Sequence, residues 1–258
     1  MRVIGGAIFI FVAFIFAIIF FLPEPEGFPI LEYHQVTDGE LDPDFEIYNV
    51  PPAAFAAQLD YLQAEGYTTI TLKEFMHAVR GYKNLPEKPI VLTFDDGYSD
   101  NYKEMLPILE AHGMKAVIYV ITNELGKKNY LKLEELKEME KRGLEIGSHT
   151  SDHLPLTELD KITQRRQLRE SKIFLEWSGF EPICSLSYPN GAFDSEIEQL
   201  LREENYLAAV TGEAGLNTIE TNPYELCRVH IRKPRFGLTE FKFRLWKANF
   251  FAKVRGLL

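Results

Sequence analysis

Apolar and polar positions follow two periods along this chain. Short apolar runs alternate with stretches whose apolar residues return every three or four positions, the pattern of parallel strands joined by covering helices. "FPILEYH" predicts a strand, and "PAAFAAQLDYLQAEGY" a helix with Phe55, Leu59 and Leu62 on one face, closed by Gly66. "TTITL" returns as strand and "LKEFMHAVRGY" as helix. Then come "PIVLTF", a helix over residues 101–112, "KAVIYVIT", a helix in "KLEELKEMEKRG", and "LEIGSH". "TELDKITQRRQLRESKIFLEWSG" reads as a long helix, "ICSLSYP" as strand, "SEIEQLLREEN" as helix, and "YLAAVT" and "ELCRVHI" as the last two strands. Roughly eight strands with about six helices predict an α/β fold, a distorted (β/α) barrel of about seven to eight parallel strands, ahead of an open doubly wound sheet.

Residues 3–22 break this rhythm with an uninterrupted apolar run behind Arg2. About 20 such residues suffice to span a bilayer. The run ends in bulky "IIFFLPEPEG" with no small-x-small site, which favours an uncleaved transmembrane helix over a cleaved signal peptide. With Arg2 cytoplasmic, the expectation is a single-pass, membrane-anchored protein whose catalytic domain is extracytoplasmic. The organisation expected is an anchor over 1–22, a stiff linker over 23–27 and one domain over 28–240. A basic, aromatic tail follows over 241–258.

That tail carries Lys242, Arg244, Lys247, Lys253 and Arg255 without an acid. It suits either an anionic membrane surface or a final helix packed on the barrel. The formal net charge of −10 argues against nucleic acid as a partner. Cys184 and Cys227 are the only cysteines, so no disulfide framework exists; a single pair and two buried thiols both remain open.

Polar residues gather where periodicity does not require them, at the C-terminal ends of the predicted strands. Tyr33 and His34 end the first, Asp95 and Asp96 the "PIVLTF" strand, and Ser148 and His149 "LEIGSH". Tyr188 and Pro189 end "ICSLSYP", and Arg228 and His230 the last strand. Barrel enzymes build their sites on that rim. His149 and His153, four apart, can reach one cation; two imidazoles and a carboxylate suit zinc with a position left open. The zinc-protease signature fails, because Thr150 stands where its glutamate belongs. Asp95 and Asp96 read either as a solvated Asp-Gly turn or as two carboxylates with separate tasks, one on a cation and one free.

"TFDDGY" and "HTSDH", in this order, resemble the first two motifs of the NodB-like polysaccharide deacetylases, a carbohydrate esterase family. "YHQV" resembles the exopolysaccharide-deacetylase branch. The resemblance covers about residues 30–231 and implies a metal-dependent hydrolase that removes N-acetyl groups from an N-acetylglucosamine-containing glycan, with release of acetate. It implies Asp95 as catalytic base, and Asp96, His149 and His153 as ligands to Zn2+, with Ni2+, Co2+ or Fe2+ as alternatives. His230 of "LCRVHI" would be the general acid, with His34 as alternative. His34, Tyr98, Tyr188 and Pro189 would bind substrate, and the Tyr188 N–H would help hold an oxyanion.

One departure stands out: the family commonly has Arg-x-Pro in its third motif, with the arginine holding the base, and this chain has "SYPNG" with Ser187 there. Two alternatives follow. One is a catalytically weak glycan-binding module on the same fold; the other is a deacetylase for other amides or O-acetyl esters.

Overall fold

The computed structural model describes residues 27–39 and 45–255; the apolar run of residues 3–22, with the anchor and linker expected there, lies outside them. Among the described residues, no helix is long and apolar enough to cross a membrane.

Among the described residues eight strands form one parallel sheet: β1 (Ile30–Tyr33), β2 (Thr68–Thr69), β3 (Pro89–Phe94), β4 (Val117–Val120), β5 (Glu145–Ser148), β6 (Ser185–Ser187), β7 (Ala208–Ala214) and β8 (Leu226–His230). β1 pairs with both β3 and β8, so seven strands close into a barrel and the open-sheet alternative falls. β2 stands outside the ring, paired only with Pro89 and Ile90 at the start of β3. It is shorter than "TTITL" suggests because Thr71 already caps the next helix, in a capping box with Glu74.

Among the described residues seven α-helices cover the ring: α1 (Pro52–Ala64), α2 (Leu72–Val79), α3 (Leu106–Ala111), α4 (Leu133–Lys141), α5 (Lys161–Trp177), α6 (Ser195–Glu203) and α7 (Leu238–Arg255). The helix expected over 101–112 is split. Asn101–Met105 forms a π-turn, with the Leu106 N–H bonded to the Asn101 carbonyl. The reason is Pro107, which has no N–H to give and so breaks the α-helical ladder at this point. The tail expected from residue 241 is not a separate unit: it belongs to α7, whose Phe241 and Leu245 are buried in the core.

Every residue of β1 is buried. Tyr33 stacks on Phe94 at 5.1 Å, and Phe55 of α1 meets both rings edge-on. Cys184 and Cys227 are not joined in a disulfide, and both are half-buried.

Candidate active site

Two strand ends set the first geometry. Asp95 prolongs β3, its N–H donating to the Tyr33 carbonyl at 2.9 Å. The next two residues are left-handed, Asp96 at φ 74° and Gly97 at φ 77°, so the two carboxylates leave the chain in different directions. A Cβ at Gly97 would fall 2.9 Å from Cγ1 of Val120, so this turn requires glycine.

β5 delivers His149, and Thr150 (φ 66°) and His153 (φ 57°) bend the following loop back over it. Left-handed non-glycine residues cost about 1–3 kcal/mol each and persist where the surroundings hold them. Here α5 does so: the Ser148 and Ser171 hydroxyls lie 2.7 Å apart, and the Asp152 N–H donates to Gln167 at 2.9 Å.

Asp96 Oδ1 lies 3.5 Å from His149 Nε2 and 3.7 Å from His153 Nε2. The three donor atoms fall within 4.8 Å of one another. Donors at about 2.0–2.1 Å from a tetrahedral zinc stand about 3.3 Å apart, so the set fits such an ion with only small adjustment. His149 Nδ1 lies 2.7 Å from the Ser187 carbonyl; donating there leaves Nε2 as ligand. Burial and the neighbouring His149 lower the pKa of His153, which favours the neutral ring a cation needs.

Asp95 stays outside this set, its Oδ2 3.9 Å from His149 Nε2. Arg228 Nη1 donates to it at 2.9 Å, and the Ser187 hydroxyl donates to Oδ2 at 2.9 Å. Arg228 reaches in from β8, fully buried. It is held by Glu32 of β1 at 2.9 Å and by the Thr211 carbonyl, to which its Nε donates at 3.0 Å. Burial alone would push the Asp95 carboxyl up; Arg228 foremost, then His149 and His34, hold it at about 2. The arginine missing from the third motif is therefore replaced from another strand, and Ser187 completes the clamp.

His230 is tied on both sides of its ring. Its Nδ1 lies 2.9 Å from Glu32 and its Nε2 2.9 Å from the Gly212 carbonyl. The Glu32 contact raises its pKa. His34 and His230 both line the cavity; the His34 ring leans on Tyr48 at 4.8 Å, and its buried Nδ1 has no hydrogen-bond partner.

Three other expectations change. The Tyr188 N–H donates to the Val210 carbonyl in the sheet, so it is not an oxyanion donor. The Tyr188 ring walls the cavity, its hydroxyl turned away to the Tyr224 carbonyl at 3.1 Å. Pro189 is buried in the turn Pro189–Gly191, and Asn190 and Gly191 line the cavity instead. Tyr98 stacks on Tyr130 at 5.3 Å and hydrogen-bonds Asp96, buttressing a cation ligand; burial, then Asp96, raises its pKa.

Sequence reasoning missed Glu32, Tyr48 and Arg232 of the cavity wall. For Glu32 a signal existed, a lone charge inside the apolar run "ILEYH".

Fold and site together define a parallel β/α barrel whose rim carries two histidines and one carboxylate spaced to hold a cation. The profile of the polysaccharide deacetylase family matches residues 82–209. YxkH of Bacillus subtilis (strain 168), which carries a polysaccharide deacetylase name, is 35% identical over 208 residues, 81% of this chain and 72% of that protein. The chain belongs to the polysaccharide deacetylase family. The poly-beta-1,6-N-acetyl-D-glucosamine N-deacetylase of Staphylococcus aureus (strain MRSA252) is 26% identical over 73% of this chain and 70% of its own length. Among solved structures, Streptococcus pyogenes deacetylase PplD in complex with acetate superposes with a TM-score of 0.77. It is 27% identical, over 87% of this chain and 99% of that one.

Proposed function

We propose that this chain is a metal-dependent N-deacetylase of an N-acetylglucosamine-containing polysaccharide outside the cytoplasm, held to the membrane by its N-terminal apolar run. The observation that carries the reading is the division of labour between adjacent aspartates. Asp96 joins two imidazoles in a cation-sized triangle, while Asp95 is kept ionised beside it by Arg228. A relative named for poly-beta-1,6-N-acetyl-D-glucosamine and a structural neighbour solved with acetate support the substrate class. A clamped, ionised Asp95 disfavours a module that only binds glycan.

Asp96, His149 and His153 would hold the cation, zinc by donor type. When bound, it supplies Lewis acidity towards the acetamide carbonyl and lowers the pKa of water at the site from 15.7 towards about 7. Asp95 accepts that water's proton at Oδ2, the oxygen nearer the histidines. Arg228 keeps Asp95 ionised and so ready to take that proton as the new C–O bond forms. His34 gives a proton to the amine nitrogen as the C–N bond breaks, so acetate and a free amino sugar leave. His230 and Glu32 position Arg228, and through it the base.

Acetate release from poly-β-1,6-N-acetylglucosamine, chitin oligomers and peptidoglycan, with and without chelator, tests the reading. We expect turnover on at least one glycan that stops with chelator and returns with zinc. Release that ignores chelation, or none from any of the three by zinc-loaded protein, would overturn it.

A further inference from the structure

Helix α7 is amphipathic in an unusual sense, because both of its faces are apolar. Phe241 and Leu245 are buried against the barrel, and Ala248 packs beside them. On the opposite side Phe243, Trp246 and Phe250 stand at i, i+3 and i+7. They stack on one another in a row, with centroids 5.5 and 5.1 Å apart. Within the row Phe243 is 55% exposed and Trp246 49%, while Phe250 is half-buried. A row of large aromatics in water is costly unless something covers it.

Charge says what kind of surface would. Residues 238–255 hold five basic side chains and one acid, in a chain whose formal net charge is −10. Lys242 and Lys247 are exposed on the two flanks of the aromatic row. Aromatics flanked by lysines are the pattern of a helix lying in the headgroup region of an anionic bilayer. Arg244 fixes the helix to the barrel, donating to the His230 carbonyl at 3.1 Å and pairing with Glu240, so the aromatic face cannot roll inward.

Position agrees. Phe28 and Asn217 exchange backbone hydrogen bonds of 2.8 and 3.0 Å, which places Gly27 against Leu216 and Asn217. Leu216 in turn lines one cavity with Lys247, Phe251 and Ala252 of α7. The last turns of α7 therefore lie beside the point where the chain arrives from the apolar run of residues 3–22.

We propose that the outer face of α7, centred on Trp246 with Lys242, Lys247 and Lys253, docks on an anionic phospholipid surface. The apolar run and α7 then make two separate contacts with one membrane, and the second sets how the barrel is turned. This inference does not depend on the deacetylase reading.

The chain has two tryptophans, and Trp177 on α5 is the other. In a Trp177→Phe background the full chain is reconstituted into phosphatidylcholine vesicles with or without phosphatidylglycerol, and Trp246 is quenched by brominated lipid. Quenching should be strong with phosphatidylglycerol, weak without it, and weakened by high salt. Each lysine at an anionic surface is worth roughly fivefold in binding. Changing Lys242, Lys247 and Lys253 together to Glu should therefore cost on the order of a hundredfold and remove the phosphatidylglycerol dependence. The salt arm needs no lysine change, so it stands even if the triple change misfolds. Quenching that ignores both lipid charge and salt overturns the proposal. So does shielding of Trp246 that depends on protein concentration rather than lipid, which would mark a second copy of this chain on the same face.

Discussion

Replacing Arg228 by Met removes the guanidinium that pairs with two buried carboxylates, Asp95 and Glu32, each at 2.9 Å. Asp95 is held at about 2 against an ordinary 3.8, a difference of roughly two units and so roughly 2.5 kcal/mol at 1.36 kcal/mol per unit. Breaking a buried pair typically costs about 3–5 kcal/mol, because a charge is left without a partner. For a domain of this size that lowers Tm by about 10 °C at pH 7.

The sign with pH follows from the depressed carboxyl values. In the wild type, the stabilisation is full above the ordinary carboxyl range and is lost as pH falls through about 2 for Asp95. Glu32, also lowered despite its burial, behaves alike. In the variant, burial is opposed only by the neighbouring histidines, so the carboxyls go neutral at higher pH than in the wild type, which relieves the penalty. The Tm gap between the two proteins should therefore be widest at pH 7 and clearly smaller at pH 4, by thermal unfolding of the metal-free proteins. Arg228→Lys should recover part of the gap, since one ammonium cannot serve both carboxylates as a fork does. A cost below about 1 kcal/mol at pH 7, or a gap that does not narrow at pH 4, would refute the clamp.

Asp95→Asn should keep zinc content near the wild-type level while kcat falls about 10²–10⁴-fold, whereas Asp96→Asn or His149→Ala should lose the metal itself by elemental analysis. His34→Gln should lower kcat about 100-fold or more with Tm little changed. His230→Gln should act chiefly on stability. His230 has its pKa raised by Glu32, so its stabilisation is complete below the ordinary 6.5 and disappears as pH rises through the raised value. The Tm gap of this variant should therefore shrink in alkaline buffer. Gly147→Ala would place a Cβ 2.4 Å from the Tyr119 ring; overpacking of this kind costs about 1–3 kcal/mol, to be read by urea unfolding.

Much of the site was legible because its donors are local. Asp95 and Asp96 follow directly on a strand, and His149 and His153 lie four residues apart, so strand ends and spacing located them without tertiary knowledge. Arg228 was legible only as a residue on the same strand face as His230. Its partner Asp95 lies 133 residues away, and the register that joins β8 to β1 and β1 to β3 is set by barrel closure. The motif offers His230, and nothing local announces that its ring is tied to Glu32 and to the Gly212 carbonyl. The alternation of strands and helices survived intact. The errors came where a single residue overrode a period, as Pro107 does in the π-turn.

Two adjacent carboxylates at the end of one strand are unfavourable unless something separates their tasks, and here the backbone does so before any ligand arrives. In an extended chain, successive side chains already point to opposite faces. The left-handed turn at Asp96 turns the second towards His149 and His153 and leaves the first pointing to β8. There Arg228 neutralises it from a different strand. The strain at Asp96 and the burial of Arg228 thus serve one end: each aspartate has its own positive partner, one covalently part of the fold and one to be supplied. A base clamped in this way remains charged whether or not the cation is present. Loss of metal should accordingly leave the Asp95–Arg228 pair intact, and metal-free protein should show nearly the full destabilisation by Arg228→Met. If that variant instead destabilised only the zinc-loaded protein, the two carboxylates would be coupled through the cation, and the separation argued from the backbone would be wrong.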